Sequence, residues 1–318
     1  MGTMTEFEHL IAPLTSHDIA ASVAAGVPLF RPGDASSFQT VFSRDLFDSI
    51  ARRMDDVRAT YPSADRRSMT PGQRIDPCDI SAHYEAGATI CLTAVNRACP
   101  RLQRLADSCK HSLGWSGIVD CRAYLSGDGS GYTPHFDTKD VITLQIEGSK
   151  QWQVANAPAV RNPISNAGQF PDGIYRYFRD DAELRPWEQF DQPDFPNGST
   201  TYTLDTGDAL VVPAGVWHNV RADGPSLSIA IALNHLAPGN TLAIILSTLA
   251  RELMADSEWR GTPPMAPTTG SDESFGALYG IDEFFVERLR SLRACIDRTL
   301  EDRGALIAAW ARHLRLDP

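Results

Sequence analysis

The hydrophobic pattern changes period twice along the chain. Over residues 45–58, "DLFDSIARRMDDVR", Leu46, Phe47, Ile50, Met54 and Val57 recur at helical spacing. Leu102, Leu105, Cys109 and Leu113 repeat that spacing within "NRACPRLQRLADSCKHSLG". Two amphipathic helices are predicted, separated by a polar stretch broken by Pro and Gly, "YPSADRRSMTPGQRIDP", that reads as loop. From about residue 118 to 236 the pattern becomes a series of short β-prone runs cut by turns: "IVDCRAYL", "DVITLQIEG", "KQWQV", "GIYRYF", "TTYTL", "DALVVPAG" and "SLSIAIALN". So many short strands with little helix between them predict an antiparallel sandwich or barrel. In the last run Leu227, Ile229, Ile231 and Leu233 alternate with Ser228, Ala230, Ala232 and Asn234. One face is therefore bulky and the other small, which leaves room for a ligand inside a barrel. After Asn240 the helical period returns in "TLAIILSTLARELMADSEW", and a Pro/Gly/Ser/Thr linker at 261–275 leads to a helix carrying Phe284, Phe285, Leu289, Leu292, Cys295, Ile296 and Leu300. The predicted organisation is a flank of helices and strands over residues 1–117, a β core over 118–236 and a helical region over 237–318.

Composition narrows the function classes. With 318 residues and 42% hydrophobic content the chain can bury a sizeable core. Its 29 basic and 40 acidic residues give a net charge of −11, which argues against general attraction to nucleic acid or an anionic membrane. The start, "MGTMTEFEHLIAPLTSHD", does not read as a secretory signal, and "TLAIILSTLA" is too short to span a bilayer, so a cytoplasmic protein is expected. Six cysteines without a C-x-x-C pair are expected to be reduced and mostly buried.

Candidate chemistry enters with "SGYTPHFDTKDVITLQIEGSKQW". His135 and Asp137 are two positions apart at the start of an apolar, β-prone run, and in an extended segment both side chains point the same way. That pair alone is weak evidence. A second block, "LDTGDALVVPAGVWHNV", reads as turn, strand, turn and histidine, and returns His218 to the barrel interior. Two histidines and one carboxylate on one face of a metal form the facial triad suited to non-haem Fe(II) and O2. Lys150, on the next strand, is placed to pair with the distal carboxylate of 2-oxoglutarate.

Three blocks together, "HYEAGATICLTAVNRACPRLQRL", "RAYLSGDGSGYTPHFDTKDVITLQIEGSKQWQV" and "TLDTGDALVVPAGVWHNV", resemble the JmjC/cupin-like Fe(II)/2-oxoglutarate-dependent oxygenases, especially the ribosomal-oxygenase branch. The resemblance covers roughly residues 80–236. It implies a mainly β chain with helical flanks: a double-stranded β-helix, the cupin or jelly-roll barrel, followed by helices that could dimerise. It also implies His135, Asp137 and His218 as catalytic iron ligands, Lys150 as the 2-oxoglutarate anchor, and Asn234 and Thr133 beside the cosubstrate. Tyr124 and Arg122 share a strand face and are expected to contact substrate. Arg122 stands where the ribosomal branch usually has asparagine, and a guanidinium there suits a substrate carboxylate. The implied activity is hydroxylation of a residue in a protein or peptide. Hydroxylation of a free amino acid or small natural product, and a non-catalytic ligand-binding cupin, remain as alternatives.

Overall fold

Two long strands organise the computed structural model, which describes residues 4–61, 72–170, 172–178, 190–235, 238–262 and 281–315. In chain order the strands are β1 (Leu29–Arg31), β2 (Val57–Thr60), β3 (Gln73–Arg74), β4 (Thr89–Leu92), β5 (Val119–Ser126), β6 (Gly131–Phe136), β7 (Asp140–Ala155), β8 (Ala167–Gln169), β9 (Tyr175–Tyr177), β10 (Ser199–Leu204), β11 (Ala209–Val212) and β12 (His218–Leu233). β7 and β12 are 16 residues each and pair antiparallel in two stretches, 140–147 with 227–233 and 149–154 with 218–223. "DVITLQIEG" and "KQWQV", expected as two strands, are thus one strand bent at Gly148. A side chain there would be strained at φ 71°, and its Cβ would fall 2.1 Å from the Pro225 carbonyl oxygen.

The bend divides the duties of the long strands. Their outer halves run through the order β1-β11-β7-β12-β5-β4-β2-β3, while β10 pairs β7 and β6 pairs β12 on the other halves, with β8 and β9 beyond β6. The result is one antiparallel ladder of 12 strands folded over itself as a double-stranded β-helix. Strands β1 to β4, drawn from residues 1–117, belong to the same sheet as the core expected at 118–236.

Flanking helices are α1 (Glu6–Ile11), α2 (Ser16–Ala25), α3 (Arg44–Ala51), α4 (Ile80–Glu85) and α5 (Pro100–Leu113), with the short α6 (Phe195–Gly198) before β10. The sequence dictates both ends of α5, because Pro100 suits the first turn and Gly114 closes the last in the left-handed conformation at φ 58°. Leu102, Leu105 and Cys109 of α5 pack with Leu227, Ile229, Ile231 and Leu233 of β12 in one core. The bulky face of the last strand is therefore the helix-covered face. α3 ends at Ala51, short of the predicted 45–58, because Val57 belongs to β2, where Val57 and Ala59 are buried around an exposed Arg58.

The chain divides into two units, Met1–His235 and Leu236–Pro318. The second unit holds α7 (Pro238–Leu253), α8 (Ile281–Glu301) and α9 (Gly304–Arg315), with Leu249, Leu253 and Cys295 buried together. Most of the linker expected at 261–275 lies outside the described residues, as does much of the loop expected at 61–77. All six cysteines are free thiols, and five of them are buried.

Candidate active site

The small face of β12 looks into a cavity of about 440 Å³. Ser228 and Ala230 line it from β12, Arg122, Tyr124 and Ser126 from β5, and Val141, Thr143 and Lys150 from β7. His135, Asp137 and His218 line the same cavity, each offering a ligand atom within 4.8 Å of the others. His135 on β6 and His218 on β12 are register partners, and their ring centroids lie 4.1 Å apart. The register slips between His218 and Val220, so Thr133 and Pro134 of β6 stand against the single Asn219 of β12, a bulge that turns both Tyr132 and His135 to the cavity.

Hydrogen bonds fix how each group faces inward. His135 Nδ1 lies 2.7 Å from the Thr133 carbonyl and His218 Nδ1 2.9 Å from the Val216 carbonyl. Both imidazoles therefore donate from Nδ1 to backbone and leave the Nε2 lone pair to the centre of the trio, the arrangement of metal-binding histidines. Burial pushes the His218 pKa down to about 3, helped by its neighbour His135, and burial also lowers that of His135. Both rings are neutral, as a metal ligand must be. For Asp137, burial works to raise the pKa, but Lys139 and then the two histidines outweigh it and hold the carboxylate well below its ordinary range. Asp137 Oδ1 accepts from Lys139 Nζ at 3.1 Å and from Asn166 Nδ2 at 2.9 Å, while Asn166 Oδ1 accepts from the Thr138 amide at 2.8 Å. Asn166 thus clips the carboxylate to its own loop. Trp152 stacks on His218 at 5.7 Å and walls the trio.

At the Lys150 end of the cavity the ammonium is 3% exposed and donates to Ser228 Oγ at 2.9 Å, with Nζ 5.9 Å from the Tyr124 ring centroid. No carboxylate pairs with it among the described residues. Burial pushes its pKa down to about 7. A cation kept this dry fits an anion that arrives with the ligand.

The match to known proteins follows this geometry. Residues 95–240 match the model of the JmjC domain. Over that span the chain is similar to the JmjC domain. YxbC of Bacillus subtilis is 24% identical over 279 residues, covering 82% of this chain and 80% of that protein. The bifunctional lysine-specific demethylase and histidyl-hydroxylase NO66 of Dictyostelium discoideum is 27% identical, covering 64% of this chain and 37% of its own length. Ribosomal oxygenase 1 of Danio rerio is 23% identical, covering 72% and 40%. The chain thus spans about two-fifths of those two longer relatives. Escherichia coli YcfD shares the fold with a TM-score of 0.56 at 16% identity, covering 98% of this chain and 73% of that one.

The barrel brings six of the eight candidate residues into its cavity: His135, Asp137, His218, Lys150, Tyr124 and Arg122. Two expectations need correction. Asn234 is not among the lining residues; at the strand end its amide donates to Asp120 Oδ2 at 3.0 Å and to the Ile118 carbonyl at 3.2 Å. Thr133 does not line the cavity either, because the β6 bulge breaks the alternation, and its contribution is the carbonyl that orients His135. Sequence reading missed Lys139, Asn166, Tyr132, Ser228 and Thr143. Ser228 was signalled, since it stands on the small face of the last strand.

Proposed function

We propose that this chain is an Fe(II)- and 2-oxoglutarate-dependent hydroxylase that oxidises an amino-acid residue of a protein or peptide. The observation that carries the reading is one cavity with two complementary ends: a neutral-imidazole, ionised-carboxylate trio and a buried lysine without an acidic partner. The donor set suits a facial Fe(II) site. Bound there, Fe(II) would supply the O2 activation that couples oxidation of 2-oxoglutarate to succinate and CO2 with hydroxylation of an unactivated C–H bond. His135, Asp137 and His218 hold the metal, and Lys139 and Asn166 orient the carboxylate ligand. Lys150 and Ser228 receive the distal carboxylate of 2-oxoglutarate, with the Tyr124 ring closing that end. Trp152 and the barrel walls exclude water.

A peptide or protein substrate is favoured by the relatives named as histidyl-hydroxylase and ribosomal oxygenase. Arg122 in the cavity favours, as a second reading, a free amino acid or small acid. We read the second unit, with Leu289, Leu300 and Ile307 exposed, as a homodimerisation segment. Six free thiols, five of them buried, support a cytoplasmic setting.

The test is iron-dependent conversion of 2-oxoglutarate to succinate, followed by mass spectrometry of cell-extract peptides for gain of one oxygen atom. Conversion should disappear on replacing His135, Asp137 or His218 by Ala. A protein that neither binds nor consumes 2-oxoglutarate would return the chain to the non-catalytic cupins.

A further inference from the structure

Four cationic side chains line the cavity against one carboxylate, and three of the four have an assignment. Lys139 is bonded to Asp137, Arg58 is paired with Asp56 at 2.8 Å, and Lys150 stands at the end proposed for the cosubstrate. Arg122 remains. Among the described residues the acid within ion-pair distance is Asp120, whose Oδ1 lies 3.8 Å from Arg122 Nε, too far for a hydrogen bond. Asp120 is held there from its other side, since Oδ2 accepts from Asn234 Nδ2 at 3.0 Å, and the Asn234 carbonyl accepts from Trp115 Nε1 at 3.0 Å. Arg122 Nε and Asp120 Oδ1 are both buried without a hydrogen bond. A pair whose role was to hold the scaffold would close this gap, because charge-assisted contacts are short and leave no orphan donor.

Register separates this group from the Lys150 end. Tyr124 lies opposite Ser228 in one row of the sheet, and Arg122 opposite Ala230 in the next. Two residues along a strand amount to about 7 Å, so Arg122 addresses a different position from Lys150. The same row continues from Ala230 to Thr143, whose Oγ1 is buried in the cavity wall with no hydrogen-bond partner. Between an arginine whose Nε lacks a hydrogen bond and a threonine hydroxyl without one stands the small side chain of Ala230, leaving the space in front of it open.

We propose that Arg122 and Thr143 form a second anion subsite that receives a carboxylate of the substrate, so that the hydroxylated residue carries a carboxylate or lies next to one. This rests on the hydroxylase reading, which gives the Lys150 end to 2-oxoglutarate. The carboxylate can come from an acidic side chain or from a free main-chain carboxyl group; the recognition chemistry is the same.

The arginine Nε–H resonances of nitrogen-15-labelled protein, loaded with Zn(II) and the inert cosubstrate analogue N-oxalylglycine, report on the subsite directly. The Arg122 resonance is assigned by its loss in Arg122→Gln, or in Arg122→Lys if the first variant does not fold. Acetate should shift that resonance saturably, acetamide, its neutral counterpart, should not, and Thr143→Val should weaken acetate binding at least threefold. N-acetylglycine and a glutamate capped at both ends then distinguish the sources: tighter binding of the first assigns a main-chain carboxylate, of the second an acidic side chain. No response to acetate, an equal response to acetamide, or a shift caused by N-oxalylglycine that leaves acetate without effect overturns the subsite. Calorimetry of Zn(II) and N-oxalylglycine binding separates the two failures. A chain that binds neither fails the hydroxylase reading and the subsite with it, whereas a loaded chain whose Arg122 ignores acetate fails the subsite alone.

Discussion

Replacing Lys150 by Met should make the protein more stable and disarm it, and the two effects can be sized separately. The ammonium is buried without an acidic partner, and its pKa falls from the ordinary 10.5 to about 7. At about 1.36 kcal/mol per pH unit, that depression represents roughly 5 kcal/mol of unfavourable burial, felt in full below pH 7. Between pH 7 and 10.5 the unfolded chain holds a proton that the folded chain lacks, so stability of the ligand-free protein rises with pH across that window and the cost fades. Lys150→Met fills similar space without charge, and should raise the urea midpoint at pH 7 and flatten the rise above it. Binding has the opposite sign. A 2-oxoglutarate carboxylate requires the protonated amine, of which roughly a tenth remains at pH 8. Affinity should therefore fall by up to about tenfold per pH unit above 7 as binding takes up a proton. In Lys150→Met the loss of a charged hydrogen bond of about 1.5–3 kcal/mol weakens binding by about one to two orders of magnitude and removes the pH slope. The assay is calorimetric titration of the Zn(II)-loaded protein with 2-oxoglutarate at pH 6 to 9, in two buffers of different ionisation enthalpy to count the proton. A wild type with pH-independent affinity and no proton uptake, or a variant that binds as well as wild type, would refute the reasoning.

Three further outcomes follow from the same structure. Asn166→Ala frees the Asp137 carboxylate from its loop and should weaken metal binding by about 10–100-fold in chelator competition; unchanged affinity would deny Asn166 an orienting role. His218 stays neutral down to about pH 3 when folded but titrates near its ordinary 6.5 when unfolded, so the metal-free protein should lose stability as pH falls from 6.5 to 3, at up to about 1.4 kcal/mol per pH unit. Urea midpoints should show the slope, and a His218→Gln protein with an equally steep acid limb would contradict it. Gly148→Ala puts a side chain at φ 71° against the Pro225 carbonyl and should cost at least about 1–2 kcal/mol by urea denaturation; a neutral result would mean that the bend relaxes freely.

Legibility in the sequence followed the range of each interaction. The bulky and small faces of 226–234 were readable because alternation is local, and the same alternation predicted that Arg122 would share the cavity with Tyr124. His135, Asp137 and His218 were readable from two separated blocks, since turn residues mark where each strand ends. Asn166 was not, because it reaches Asp137 from 29 residues away through a loop with no regular pattern. Lys139 sits two residues from Asp137, yet "TKD" reads as an ordinary turn until burial shows that its ammonium has nowhere else to go. Asn234 failed for a related reason: its parity places it on the small face, but the cavity ends before the strand does, and the amide is spent on Asp120. Val57 kept a helical period by coincidence, and pairing with β4 decided its state.

The fold at Gly148 and the irregular register between Asp223 and Leu227 also bear on how such a chain can change over generations. His218 and Ser228 lie on one strand, but they pair with β7 on opposite sides of that irregularity. A one-residue slip confined to 227–233 would take Ser228 from Lys150 and turn the core residues Leu227, Ile229, Ile231 and Leu233 toward the cavity, while His218 kept its place opposite His135. The metal-binding end can therefore be inherited unchanged while changes beyond the corner reach both the cosubstrate and the substrate. An insertion at the 223–227 corner is where a lineage with new preferences would be expected to differ first.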